Sequence, residues 1–137
     1  MRSFWPVTGS IAVMSALASS AEAQRVHEVR LEAIPGREIY RIVPSVVRAR
    51  PGDVLLFRAA RGTPHSIVFE AAGLSRPAHE ALNGAMNRRA GDLSSPLLTT
   101  DGAEYRIVVP PLPQGRYSFF CLPHRAYDER GAVVIEK

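Results

Sequence analysis

Short runs of β-forming residues, most of them bounded by proline or glycine turns, recur from Val29 to Glu136. In Val29-Arg30-Leu31-Glu32-Ala33 apolar and charged residues alternate, the period of a strand with one buried face. Ile39 to Val43 and Val46 to Arg50 are further runs, separated by Pro44-Ser45. Pro51-Gly52-Asp53 is a turn signal ahead of the apolar strand Val54-Leu55-Leu56-Phe57. Arg61-Gly62-Thr63-Pro64 reads as a loop and His65 to Glu70 as the next strand. Glu104 to Val109 alternates again, Pro110 to Gly115 turns the chain into Arg116 to Cys121, and Gly131 to Glu136 is the last strand. About seven or eight short strands with frequent turns predict an all-β fold, a β-sandwich. One segment differs. Pro77 to Ala90 carries helix formers, with His79, Leu82 and Met86 spaced to share a face, although Gly84 weakens it. A short helix on a long connection is expected there, followed by a loop from Gly91 to Thr100.

The 137 residues suffice for one domain with a modest core. Residues 1–23 read as a secretory signal: Arg2 gives a positive start, a mildly apolar stretch runs from Val7 to Ala18, and Ala21-Glu22-Ala23 offers a small-x-small cleavage site before Gln24. The apolar stretch is short for a membrane span, so no stable membrane insertion is expected after cleavage. The expected organisation is a signal at 1–23 and one domain at 24–137, exported to the periplasm or the extracellular space. The net charge is +4 and Lys137 is the sole lysine. The arginines are scattered, without a basic stripe interleaved with aromatics, which argues against nucleic acid as a partner. The positive surplus favours a protein partner with an acidic docking surface.

Export would put Cys121, the one cysteine, in an oxidising compartment, where it has no internal disulfide partner. It is then inert core, paired between chains, or occupied by chemistry. His124 follows it in Cys121-Leu122-Pro123-His124, and His65 lies upstream in Thr63-Pro64-His65-Ser66. Thiolate and imidazole together suit copper, including its reduced form, and a His₂Cys plane is an electron-transfer arrangement. On the strand ending at Cys121, Tyr117 and Phe119 share its face. Pro123 can turn His124 back toward the sulfur, while His65 approaches from a neighbouring loop. Taken singly, each residue has a plainer reading as a buried cysteine or a loop histidine. Zinc is possible in principle, but structural zinc sites usually show four ligands in recognisable pairs, and none is evident here. The haem-attachment pattern Cys-x-x-Cys-His is absent. His27 and His79 read as surface residues, and no second histidine follows His79-Glu80 at metalloprotease spacing.

The combination resembles the plastocyanin-like cupredoxins, small blue copper proteins. The first half of the resemblance is carried by Val43-Pro44-Ser45, Arg50-Pro51-Gly52-Asp53, Phe57 and Pro64-His65, with Ile67-Val68-Phe69 downstream. The second is carried by Gly115-x-Tyr117-Ser118-Phe119-x-Cys121-x-Pro123-His124, then Gly131 and a terminal strand. Together they cover nearly all of residues 26–136, least clearly between Ala71 and Thr100. The resemblance implies a Greek-key β-sandwich holding one copper ion, cycling between Cu(I) and Cu(II), on His65, Cys121 and His124. It also implies that the backbone N–H of Ser66 donates to the cysteine sulfur. Many relatives carry asparagine at this position to tie the two ligand loops; the shorter serine puts that tie in question. It implies further an apolar patch for electron entry, which Leu122, Pro123 and Pro64 could supply; Arg125, next to His124, either biases docking toward an acidic partner or is a solvated loop residue.

At the axial position the sequence departs from the pattern. Family members usually place a weak methionine ligand five residues after the second histidine, where this chain has Glu129. Gly131 keeps the family spacing. Met86 is the only methionine beyond residue 23, and it reads as core packing. Glu129 can coordinate the metal as a fourth ligand, point outward to leave a three-coordinate or water-bearing site, or mark a loop that has lost copper. As a ligand it would hold a negative charge about 3 Å from the metal, worth roughly 5 kcal/mol at an effective dielectric of ~20. That lowers a one-electron potential by on the order of 200 mV, less whatever Arg125 and Arg130 cancel. The leading expectation is a monomeric one-electron carrier between protein redox partners, not an enzyme. Periplasmic copper handling without electron shuttling and a copper-free interaction module are the alternatives.

Overall fold

The computed structural model describes residues 2–3 and 23–137. The export-signal reading of 1–23 thus lies almost entirely outside the described residues. The strands are β1 (Val26–Ala33), β2 (Tyr40–Val43), β3 (Val46–Ala49), β4 (Val54–Ala59), β5 (Val68–Phe69), β6 (Glu104–Val108), β7 (Gly115–Phe120) and β8 (Arg130–Ile135). One helix, α1 (Arg76–Ala85), lies on the long connection between β5 and β6. Two four-stranded sheets have the orders β2-β1-β4-β6 and β3-β8-β7-β5. The pairs β1–β4 and β3–β8 are parallel, and the others antiparallel. The all-β sandwich expected from the turn-punctuated runs is the fold observed.

The alternation read in the sequence sets the layers. Val29 and Leu31 of β1 are fully buried. Arg30 and Glu32 pair with each other at 3.0 Å on the outer face, where Arg58 also meets Glu28 at 3.4 Å and Glu104 at 2.7 Å. The continuous apolar run Val54–Phe57 belongs to β4, a strand hydrogen-bonded on both sides. Phe57 of the first sheet meets Phe119 of the second edge-on, with ring centroids 5.4 Å apart, and Phe69 lies 5.8 Å from Phe119. Each such buried ring contributes roughly 1.5–3 kcal/mol relative to exposure. Gly131 has a packing reason to be glycine: a Cβ there would stand 2.7 Å from the Phe119 ring and 3.0 Å from the Ser45 carbonyl.

Two corrections to the sequence expectations bear on the site. The strand expected over His65 to Glu70 is a strand only at Val68–Phe69. Upstream of it the backbone donors go elsewhere: the Ser66 N–H to Cys121 Sγ at 3.4 Å and the Ile67 N–H to Ser95 Oγ at 2.9 Å. Gly91 to Thr100, expected as a plain loop, runs alongside this stretch. His65 and Leu98 exchange backbone hydrogen bonds of 3.0 and 2.8 Å, and Ser95 N–H donates to the Ile67 carbonyl at 2.9 Å.

The helix is shorter than expected. It begins after the Ser75 cap, whose hydroxyl accepts from the Ala78 N–H at 3.3 Å, and it ends at Ala85 rather than Ala90. Asn83 stops it: its carbonyl accepts from the Met86 N–H, and its side chain accepts from the Leu93 N–H at 2.8 Å, so the chain folds back. The buried face is Ala78, Leu82 and Met86. His79 lies off it, half-buried and bonded to Asp92 at 2.8 Å. His27 is not free at the surface either; it is half-buried against Asp53 at 2.9 Å.

Candidate metal centre

At one end of the sandwich the two sheets present loops rather than strands. Cys121 follows the last residue of β7 and is fully buried. A short 3-10 helix, Arg125–Tyr127, leads to Asp128 in the left-handed conformation, with φ 59° and ψ 35°. That residue reverses the chain into β8. The turn is closed where Cys121 N–H donates to the Glu129 carbonyl at 3.0 Å and Tyr127 N–H donates to the His124 carbonyl at 3.0 Å. Cys121, His124 and Glu129 therefore sit on one tightly knitted loop. His65 reaches them from the stretch braced by Leu98.

The side-chain donors converge. The ligand atoms of His65, Cys121, His124 and Glu129 all lie within 4.8 Å of one another, and all four residues are buried. Cys121 Sγ is 3.7 Å from His65 Nδ1 and 3.5 Å from His124 Nδ1. Glu129 places Oε1 2.9 Å from His65 Nδ1 and Oε2 2.8 Å from His124 Nδ1. The geometry suits a metal. Bonds of about 2.3 Å to sulfur and about 2.1 Å to nitrogen, meeting at a roughly tetrahedral angle, separate the two donors by about 3.6 Å. His65 Nε2 lies against the Arg61 carbonyl, which only accepts hydrogen bonds. This contact places the proton on Nε2 and leaves the Nδ1 lone pair aimed into the cluster.

Glu129 is fully buried, which rules out the outward-pointing reading of its side chain. Its Oε1, although close to His65 Nδ1, has no hydrogen bond of acceptable geometry. A buried carboxylate oxygen left so is costly unless a cation meets it. The two neighbouring arginines do not serve. Arg130 pairs with Glu70 at 2.9 Å and Asp128 at 2.6 Å, while Arg125 lies over the Phe120 ring at 4.4 Å. Without metal, a proton takes the cation's place. Burial pushes the His65 imidazole down, but its close contacts with Cys121, Glu129 and the Arg61 carbonyl, and the Glu129 charge, more than offset this and raise it to about 10. Burial and the His65 charge push His124 below its ordinary value despite Glu129. One soft sulfur, two imidazoles and one anionic oxygen around an unsatisfied carboxylate fit a single copper ion.

Other contacts in the site were not legible in the sequence. The Ser66 hydroxyl accepts from the Leu122 N–H at 3.1 Å, so serine, although shorter than asparagine, does tie the two ligand loops. Ser95 and Leu98 brace the His65 loop from a segment with no motif. Tyr40, at the start of β2, stacks on the His124 imidazole with centroids 3.6 Å apart and planes 12° from parallel.

Comparison with known proteins agrees with this geometry. The family model of copper binding proteins, plastocyanin/azurin family, matches residues 35–136. Over 138 aligned residues the chain is 27% identical to the chloroplastic plastocyanin of Pisum sativum, covering 98% of this chain and 72% of that protein. Plastocyanin of Ginkgo biloba is 26% identical over 94 residues, covering 68% of this chain and 85% of that one. Among solved structures, oxidized plastocyanin from Dryopteris crassirhizoma superposes with a TM-score of 0.63 at 22% identity, covering 80% of this chain and 100% of that one.

Proposed function

Because the chain belongs to the plastocyanin/azurin family of copper-binding proteins, we propose that it is a one-electron carrier holding copper on His65, Cys121, His124 and Glu129. The copper would supply a couple that accepts one electron from a reduced protein partner and gives it to an oxidised one. The chain's own residues supply the rest. His65, Cys121 and His124 offer the soft and imidazole donors, and the Ser66 N–H steadies the sulfur. The loop hydrogen bonds around Cys121 and Glu129 hold the donors still between oxidation states. The carrying observation is the fully buried Glu129 Oε1, without a hydrogen bond, among the four converging donors. The test is Cu(II) addition to the metal-free protein. An intense visible thiolate-to-copper band with reversible reduction is expected, and absence of that band refutes the reading.

Glu129 also gives the second reading its support. An anionic oxygen ligand holds Cu(II) more firmly than Cu(I), as copper handling would require. Rapid, reversible electron exchange favours the carrier; a pale, readily lost Cu(II) favours handling.

The proposal includes export and partner choice. Residues 1–23 would be removed, leaving 24–137. The proposed mature start would be held in the fold: Gln24 donates to the Gly52 carbonyl at 3.0 Å and Arg25 N–H to Asp53 at 3.2 Å. No helix among the described residues is long and apolar enough to cross a membrane. Mass spectrometry of the secreted protein tests the cleavage. Leu122, Pro123 and Pro64 are exposed on the ligand loops, with the exposed Arg125 and Arg61 two and three residues from the prolines. A partner with an acidic rim around its own redox centre suits this surface. Exchange with such a partner should slow as salt rises.

A further inference from the structure

We infer that Tyr40 is a positioning residue of this centre: it fixes the His124 imidazole and braces both ligand loops, and so sets the potential and the electron-exchange rate. The inference rests on the copper-carrier reading above. Tyr40 lies on the first sheet, whereas Cys121 and Glu129 flank β7 and β8 of the second. It pairs with Ala33 at the end of β1, and the hairpin before it is closed by the Ile34 N–H donating to the Ile39 carbonyl at 2.9 Å. Its position is therefore set by a sheet that carries no ligand.

From that base Tyr40 touches three parts of the site. Its ring covers one face of His124, with centroids 3.6 Å apart and an interplanar angle of 12°. Its edge reaches the loop that delivers His65. A Cβ on Gly62 would stand 3.3 Å from Tyr40 Cε1 and 2.4 Å from the Ala33 Cβ, so the missing side chain at Gly62 makes room for this contact. Arg61, the neighbour of Gly62, supplies the carbonyl that orients His65. Third, Tyr127 packs on Tyr40 at 5.1 Å, tilted by 53°, and its hydroxyl donates to Glu38 at 3.2 Å.

In-plane, His124 is held by Glu129 at 2.8 Å and lies near Cys121 Sγ at 3.5 Å. Those contacts lie at the ring's edge, and a tilt about the ring's own axis also meets the His65 ring, 4.9 Å away and 69° to it. The Tyr40 face opposes that tilt. Transfer of one electron to or from the site requires little rearrangement when both imidazoles keep their planes, so the stack acts on rate as well as on geometry. Tyr40 itself gains and loses no electron, and none of its bonds forms or breaks.

The test compares wild type, Tyr40→Phe and Tyr40→Leu as copper proteins. The readouts are self-exchange rate by NMR line broadening, potential by voltammetry, and copper hyperfine splitting by EPR. Tyr40→Phe keeps the stack and should match wild type in all three. Tyr40→Leu should shift the potential, change the splitting and slow exchange by about tenfold or more, the effect of a barrier raised by one tenfold step. A Tyr40→Leu protein matching wild type overturns the inference alone. A wild-type protein with no reversible couple overturns the carrier reading and this inference with it. If Tyr40→Leu does not fold, NMR of the wild-type Cu(I) protein decides. His124 ring protons shifted upfield, with cross-peaks to the Tyr40 ring, support the stack; ordinary shifts overturn it.

Discussion

Glu129 does what a methionine at its position would not. It brings a full charge into a fully buried cluster, and the nearest arginines are engaged elsewhere. Compensation by Arg125 and Arg130 is therefore weak. As a ligand, with its charge about 3 Å from the metal and an effective dielectric of ~20, Glu129 would stabilise the higher oxidation state by roughly 5 kcal/mol. Replacing the carboxylate by a neutral ligand, Glu129→Met, should raise the potential by on the order of 100–200 mV. Voltammetry of the two proteins measures this, and equal potentials would show that the carboxylate is not coupled to the metal. Ser66 permits a separation of roles. Ser66→Ala removes the hydroxyl that accepts from the Leu122 N–H but keeps the backbone N–H on Cys121 Sγ. The expected loss is about 1 kcal/mol of stability, read as a lower denaturant midpoint, while the thiolate-to-copper band keeps its position. A shifted band would assign the hydroxyl an electronic role instead.

At the element scale, the strands were legible because each carries its own period and its own stop. Alternation in β1, the unbroken apolar run of β4 and the proline-rich turn before β7 are local signals. Failures came where backbone donors are captured by distant side chains. Ser66 and Ile67 point their N–H groups at Cys121 and Ser95, so a run that looks like strand is not one. Asn83 ended α1 through Leu93, ten residues on. The start of β1 depends on a contact of the same kind. Asp53, nearly buried, accepts from the Arg25 and Arg50 N–H groups at 3.2 and 3.1 Å and meets His27 at 2.9 Å. Burial pushes its carboxyl up, but the hydrogen bonds with His27, Arg50 and Arg25 more than offset this and hold it below its ordinary value. A carboxyl depressed in the folded state stabilises the fold above its unfolded value, about 3.9. That contribution is lost as pH falls from there through the folded value. Asp53→Ala should cost about 1–3 kcal/mol near neutrality by removing the charged acceptor of these partly buried hydrogen bonds. The difference from wild type should shrink below pH ~4, as urea titrations at several pH values would show. A pH-independent difference would assign the loss to packing.

For the whole molecule, the question is how far the fold depends on its metal. The convergence of the four candidate donors was largely readable because Cys121 and His124 share one short motif and His65 lies in another. The arrangement around it was not, since Tyr40, Ser95 and Leu98 reach the site only through the sandwich topology. That same topology separates stability from metal binding. The apolar cluster of Val29, Leu31, Phe57, Phe69, Phe119 and Val133 packs sheet on sheet without any of the four donors. Loop closure, from the Cys121–Glu129 backbone bond to the His65–Leu98 pair, likewise needs no ion. In the metal-free protein the raised His65 imidazole supplies a positive charge beside Glu129. Removing copper should therefore leave the far-ultraviolet circular dichroism unchanged while lowering the melting temperature. With copper present at about 1,000 times its Kd the native state gains about 4 kcal/mol, equivalent to on the order of 10–15 °C for a domain of this size. Scanning calorimetry before and after chelation measures that difference. A metal-free protein that loses its β-sheet spectrum would show instead that the sandwich folds around the ion, and the site would then have to be counted as part of the core.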